Sequence, residues 1–291
     1  MISTERVGEL RRTRTPFVHA TVVRAQPPAS ARPGDEAILL ADGTIEGFVG
    51  GQCAQNSVRK AALGALEVGE SLLLRVLPDG EVDFPEAPGA AVVVNPCLSG
   101  GALEIFLVPE MPAPLVRIHG TTPIADALAD LCATVGYDTA RGTDPVGDFV
   151  AGSAVVIASH GGPEAEILRA ALDAGVGYVG LVASRVRGAQ ILAEAAVGDD
   201  ERARVHTPVG LDIGARTAPE IAVSILAELI AVFRREGRSD AGAPAAAAEV
   251  IDPVCGMSVI VAAATPHLRL DEQDYWFCGT GCRDSFAAAR R

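Results

Sequence analysis

Aromatic side chains are scarce: eight Phe, three Tyr and one Trp make up 4% of the 291 residues. A core here must be built from Ala, Val, Leu and Ile, the usual filling of packed helices and buried parallel strands, which favours an α/β class. Lysine is scarcer still, with Lys60 the single example, and the formal net charge is −13. A surface of that sign repels phosphate backbones, so nucleic acid is not an expected partner. Long apolar runs are missing: no stretch reaches the 18 residues of a membrane span. The start, "MISTERVGELRRTRTPFVHA", carries arginines but no apolar export segment. Both absences point to the cytoplasm. Cysteine is limited to six, and in a reducing compartment these read as ligands, nucleophiles or small core residues rather than disulfides. Cys132, on a helical face with Leu128 and Leu131, reads as core.

What is present divides the chain by composition. Residues 1–111 show short apolar runs ("FVHATVVRA", "DEAILLADG", "ESLLLRVLPDG", "GAAVVVNPC", "ALEIFLVP") and one helical stretch, "AQNSVRKAALGALEVG"; this is a mostly β domain with a helix. After the proline-punctuated "PEMPAP", residues 112–236 alternate strand and helix patterns, from "PLVRIHG" to "TAPEIAVSILAELIAVFRR". Such alternation predicts a Rossmann-like, doubly wound parallel sheet. Residues 237–249 are small and polar, a linker by composition, and residues 250–291 form a short tail holding three of the six cysteines.

The tail has the sharpest local signal. Cys255 lies in "DPVCGM", and Cys278 and Cys282 lie in "YWFCGTGCRDSF". Thiolates gathered from a loop and a turn suit Zn(II) or Cu(I), and ligation supplies folding energy to a segment too short to bury a core. Gly256, Gly279 and Gly281 are suited to tight wrapping around the sulfurs. A fourth ligand is left open between His267, Asp252, a water or none; the plainer reading packs the cysteines beside Tyr275, Trp276, Phe277 and Phe286. These motifs resemble the YHS domain, and the resemblance implies a metal-handling appendage.

In the middle domain, "HGTTPIA" sets Gly120, Thr122 and Ala125 at the glycine positions of a G-x-G-x-x-G dinucleotide fingerprint, with Thr121 between the first two. Threonine in place of the second glycine obstructs a pyrophosphate while offering a hydroxyl. Arg141 stands where an acidic ribose partner is expected. The helix N-terminus still presents N–H groups to an anion. Three further loops should reach the same sheet edge: "SHGGPE" with His160, Gly161 and Gly162, "GLVASRVR" with Ser184, Arg185 and Arg187, and "GLDIGART" with Asp212 and Arg216. Arg185 is suited to clamp a phosphate, and His160 to contact a heterocycle or carry a proton.

Two thiols sit on glycine-rich turns in the first domain: Gly50, Gly51 and Cys53 in "FVGGQCAQNS", and Cys97, Gly100 and Gly101 in "NPCLSGGALEIFL". Soft ligands or sulfur handlers are one reading, and small buried cysteines the other. Together with "GTTPIADAL", "SHGGPEAEILRAALDAGVGYVGLVASRVR" and "GLDIGARTAPEIAVSILAELIA", these elements resemble the XdhC/CoxI family over residues 14–235. The wording is most similar to CoxF-like members, which are associated with aerobic carbon monoxide dehydrogenase. One departure is that Gln52 separates Gly51 from Cys53, where many relatives read G-G-C directly.

The resemblance implies a cytoplasmic accessory protein with no assigned catalytic residue. Such a protein binds the molybdopterin-type molybdenum cofactor, assists its sulfuration and inserts it into a molybdenum hydroxylase apo-enzyme. It also implies cofactor contacts at Gly50, Gly51, Cys53, Cys97, Gly100 and Gly101, and at the Rossmann residues from Gly120 to Asp212 named above. A sulfur donor and a homodimer are further partners it leaves open. Two rival readings remain: an NAD(P)-dependent oxidoreductase with a metal-binding tail, and a metallochaperone whose first 236 residues dock a partner.

Overall fold

The computed structural model describes residues 2, 4–78, 87, 89–95, 101–142, 149, 153–235 and 248–290, without the side chains of Cys53 and Asn95. Two compact units are present: Met1–Pro112 together with Ala243–Arg291, and Ala113–Gly242.

The first unit opens with α1 (Thr4–Arg12), β1 (Phe17–Gln26), β2 (Glu36–Leu40), β3 (Ile45–Gly47), α2 (Gln52–Val68), β4 (Leu72–Pro78), β5 (Ala91–Asn95) and β6 (Ala102–Glu110). The strands form one sheet in the order β3-β2-β1-β6-β4-β5. Only the β4–β5 pair is parallel. Helix α2 lies on this sheet through Ala54, Val58, Ala62 and Leu66, a stripe of period four that packs among Val18, Leu39, Leu74 and Ile105. Its start is fixed by Gly50 at φ +133°, where a Cβ would stand 3.0 Å from Ala54 and 3.1 Å from Leu103.

The second unit runs β7 (Leu115–His119), α3 (Pro123–Thr134), β8 (Asp138–Gly142), β9 (Ala154–Ile157), α4 (Glu164–Asp173), β10 (Tyr178–Leu181), α5 (Arg185–Glu194), β11 (Val205–His206) and α6 (Ala218–Arg235). All five strands are parallel in the order β11-β10-β9-β7-β8. Helices α3 and α6 cover one face around Leu128, Ile225 and Leu229, and α4 and α5 the other around Leu168, Leu172 and Ile191. This is a doubly wound sheet whose strand order reverses between β7 and β9, the place where such folds take ligands. Cys132 is fully buried on α3, and burial pushes its thiol up to about 11. Helix α5 was not anticipated: Arg185 and Arg187, expected on a loop, are its first and third residues. Among the described residues no helix is long and apolar enough to cross a membrane.

The tail contributes two hairpins, β12 (Glu249–Ile251) with β13 (Ser258–Ile260) and β14 (His267–Leu270) with β15 (Gln273–Trp276), followed by α7 (Thr280–Ala288). It buries Val259, Ile260, Phe277 and Phe286 and packs on α2 of the same unit. The Asn56 amide, 3% exposed, donates to the Ser258 carbonyl at 2.6 Å and accepts from the Ile260 N–H at 3.3 Å. Lys60 pairs with Glu249 at 2.6 Å, and Gln52 accepts from the Thr280 N–H at 2.8 Å. Metal is therefore not the tail's only support. We expect Asn56→Ala to lower unfolding free energy by about 1–3 kcal/mol, because Ser258 and Ile260 lose buried partners. Urea titration with limited proteolysis of residues 248–290 checks this, and an unchanged tail would contradict it.

Candidate functional site

Residues of two separate sites were singled out by the sequence, and each is built within one unit. In the second unit, the loops after β7, β9, β10 and β11 line a cleft of about 600 Å³ at the carboxyl edge of the sheet. Gly120, at φ +115°, is the contact between the first two loops: a Cβ there would collide with the Ala158 carbonyl. Thr122 caps α3 by accepting from the Ala125 N–H, and its hydroxyl donates to the Ala158 oxygen at 2.8 Å. That hydroxyl, expected to be offered to a ligand, stitches two loops together instead. Arg141 holds the same turn through the Gly120 and Ala125 carbonyls and Asp126; Thr121 is exposed.

The "SHGGPE" turn has an internal occupant that the sequence reading missed. Glu164, 4% exposed, sits at the start of α4. It accepts from the Ser159 hydroxyl at 2.5 Å and, weakly, from the Gly161 N–H at 3.4 Å, and pairs with Arg187 at 2.5 Å. A carboxylate of the chain itself thus occupies the Ser159–Gly161 turn that leads into α4. The signal was an acidic residue in a helix's first turn, which reads equally well as simple dipole compensation.

His160, Ser184, Arg185 and Asp212 all line the cleft. Ser184 caps α5 by accepting from the Arg187 N–H, leaving exposed Arg185 at the mouth of that helix. Gly161 and Gly162, at φ +96° and +127°, turn the loop that carries His160. The loop bearing Asp212 is tied to α6 by Glu228, which accepts from the Gly210 N–H at 2.9 Å and from the Tyr178 hydroxyl at 2.7 Å.

In the first unit, Gly50 and Gly51 lead into α2 and Cys53 is its second residue. Gly101 precedes β6, and a Cβ there would collide with the Ala29 backbone. Cys97 and Gly100 lie outside the described residues.

The tail cysteines converge. Sγ of Cys255 lies 3.5 Å from that of Cys278, which is 3.6 Å from that of Cys282. With a carboxylate oxygen of Asp252 their donor atoms all fall within 4.8 Å of one another. His267 is engaged elsewhere, 2.7 Å from Asp274 and tilted against Trp276. Of the three glycines read as wrapping the sulfurs, Gly256 takes φ +75°, whereas Gly279 is extended and Gly281 keeps an ordinary helical backbone.

Asp252 is fully buried and organises this cluster. One oxygen accepts from the N–H groups of Val254 (2.8 Å) and Cys255 (3.4 Å), and the other from that of Cys278 (2.8 Å). Burial works to raise its carboxyl, but the N–H donors of Cys278 and Val254 outweigh burial and hold it below the usual carboxylate range. The same burial, with the nearby carboxylate, pushes the Cys278 thiol far up, and the Cys282 thiol is pushed up to about 11, chiefly by burial. Both shifts favour the thiol form at Cys278 and Cys282.

Asp252→Ala strands two well-made N–H donors, for an expected loss of about 2–4 kcal/mol. Because the folded carboxyl is lowered, its contribution is complete above the unfolded value, about 3.9, and disappears as pH falls through the folded one. Urea unfolding at pH 7 and pH 3 should show that decline in the parent chain and a flatter profile in the variant.

Comparison with known proteins places these features. Residues 10–76 match the XdhC and CoxI family, and residues 116–229 match the XdhC Rossmann domain. YqeB, an uncharacterized protein of Escherichia coli K12, is 28% identical in an alignment 254 residues long that covers 77% of this chain and 45% of YqeB. The chain therefore spans less than half the length of that relative. A solved structure described as a xanthine dehydrogenase from Bacillus halodurans aligns over 81% of this chain and 96% of its own, at 18% identity and a TM-score of 0.39. The two family matches together take in more than half of the sequence, in order: the chain carries both domains of the XdhC and CoxI family.

Proposed function

We propose that this chain is a cytoplasmic maturation factor for a molybdenum hydroxylase of the xanthine dehydrogenase or carbon monoxide dehydrogenase type. It holds the molybdopterin-type cofactor in the cleft of the second unit and assists its sulfuration and insertion into the apo-enzyme. The observation that carries this reading is the convergence of His160, Ser184, Arg185 and Asp212 on one cleft at the strand-order reversal. That donor set fits a phosphate-bearing heterocycle. Arg185 and the first N–H groups of α5 receive the phosphate, and His160 and Asp212 offer hydrogen bonds to ring nitrogens and amino groups. Cys53 and Cys97 are the thiols assigned to sulfur handling, in line with the family resemblance. The bound cofactor supplies the molybdenum and its dithiolene; the chain's part is to bind, orient and release it.

The oxidoreductase reading is weakened by the same geometry. The Thr122 hydroxyl is committed to Ala158, Arg141 occupies the ribose side of the first turn, and Glu164 fills the second nest. Arg185→Ala should weaken cofactor binding about tenfold or more, read by pterin fluorescence and molybdenum content after equilibrium dialysis. Micromolar NADH binding with turnover would instead favour the dehydrogenase.

The thiol cluster supports a second role, the uptake of a soft metal ion, Cu(I) or Zn(II), consistent with the YHS resemblance of the tail. The raised thiols of Cys278 and Cys282 must lose protons on binding, so affinity rises with pH across the neutral range and falls in acid. Zn(II) titration with a competing chelator at pH 6, 7 and 8 should show that slope, with proton release by calorimetry. Replacing Cys255, Cys278 and Cys282 together by serine should abolish uptake; metal retained in that variant would end the assignment.

A further inference from the structure

The three tail cysteines differ in what can reach them. Cys255 is exposed, Cys282 is half-buried, and Cys278 is only 4% exposed. Cys255 also lines the end of a groove of about 830 Å³ bordered by α2, β4 and β5, so there is room beside it for a small molecule. All three are free thiols. Cys132, the other free cysteine among the described residues, is fully buried in the second unit.

The exposed thiol and the enclosed one are already in contact. Sγ of Cys255 lies 3.5 Å from Sγ of Cys278. A disulfide bond is about 2.0 Å long, so an approach of about 1.5 Å closes it. The two residues are not equally free to supply that approach. Cys278 is enclosed, and its N–H donates to Asp252 at 2.8 Å. Cys255 stands on an exposed turn, and its own N–H reaches Asp252 only at 3.4 Å. Gly256 follows it at φ +75°, with nothing within 4 Å of where a Cβ would stand. The Cys255 side therefore has the freedom to move, and Cys278 is the fixed partner.

An exposed thiol backed by an enclosed one at contact distance is the arrangement that two-step thiol–disulfide exchange requires. We propose that the tail reduces a low-molecular-weight disulfide, with Cys255 as the attacking thiol and Cys278 as the resolving one. Cys255 attacks one sulfur of the small disulfide. That S–S bond breaks, a mixed disulfide forms on Cys255, and the first small thiol leaves with the proton Cys255 has lost. Cys278 then attacks the Cys255 sulfur, the Cys255–Cys278 bond forms, and the second small thiol leaves with the Cys278 proton. Two protein thiols are oxidised, and one small disulfide is reduced to two thiols. The second step is intramolecular, so the mixed disulfide does not accumulate. The new bond leaves the cluster only Cys282 and Asp252, too few soft donors for Cu(I) or Zn(II). Oxidation and metal uptake therefore exclude one another. The exchange itself needs no metal; only this exclusion rests on the soft-metal reading of the tail, to which it adds a means of regulation.

The test treats the metal-free full chain with oxidised glutathione, blocks the remaining thiols and maps the products by mass spectrometry of tryptic peptides. Residues 239–269 carry Cys255, and residues 270–283 carry Cys278 and Cys282. The expected product is a cross-link between these two peptides, assigned to Cys278 by fragmentation, with two glutathiones released per bond. In Cys278→Ser the reaction should stop at one glutathione held on Cys255. Cys255→Ser should lose both the tail adduct and the cross-link. A lasting glutathione adduct on Cys255 of the parent chain, a bond joining Cys278 to Cys282, or Cys255 linked to a second chain would each overturn the proposal, and these readings need no variant to fold. In a second arm the chain is loaded with Zn(II) beforehand. Bound zinc should suppress the cross-link, and each bond formed at high disulfide should release one Zn(II), read with a chromogenic chelator. Zinc retained by a cross-linked chain overturns the exclusion. If no zinc binds at all, the metal reading fails by itself, and the cross-link in the metal-free arm still upholds the exchange.

Discussion

A single buried carboxylate determines whether the three tail sulfurs can meet. Asp252 gathers N–H groups from Val254 and Cys255 on one side and Cys278 on the other, so two loops separated by more than 20 residues are clamped by one group. The clamp works without metal, because its partners are backbone donors. It also has an electrostatic consequence: burial and the fixed negative charge both oppose a thiolate at Cys278. The cluster is therefore preorganised in shape, while two of its sulfurs, those of Cys278 and Cys282, are biased toward the thiol form.

The second unit uses a buried carboxylate differently. Glu164 occupies the start of α4 and satisfies Ser159, Gly161 and Arg187 together. Arg187 keeps part of its surface in solvent, so the pair is worth less than a fully enclosed one, but its effect on selectivity is plain. With Glu164 already on the Ser159–Gly161 turn, the proposed function leaves an incoming negative group the start of α5, where Arg185 is exposed.

Much of this was legible in the sequence, for local reasons. Continuous apolar runs such as "AVVI" are fully buried strands because parallel strands are covered on both faces, and the 3.6-residue recurrence of Ile221, Ile225 and Leu229 marked α6. Helix α5 escaped because its buried face is only Gly188 and Ile191, too little apolar surface to create a period. The thiol cluster was legible because cysteine spacing survives without knowledge of the fold. Its organiser was one option among several, since nothing local says that Asp252 faces inward while His267 turns to Asp274. Asn56 was invisible as the tail's anchor: a polar position on an amphipathic helix reads as solvated until a segment 200 residues away covers it.

That covering gives a physical meaning to the one departure in the opening glycine–cysteine element. Gln52 stands between Gly51 and Cys53, and its side-chain oxygen accepts from both the N–H and the hydroxyl of Thr280. Thr280 lies between Cys278 and Cys282, so this contact ties the turn that presents two of the cluster's thiols to the start of α2. Neither glycine nor cysteine has a side-chain amide that can accept there, and a direct Gly–Gly–Cys junction would leave Thr280 without that partner. Gln52 is thus an attachment point for the tail. Through it the start of α2, where Cys53 follows in sequence, is bonded to the turn of the thiol cluster.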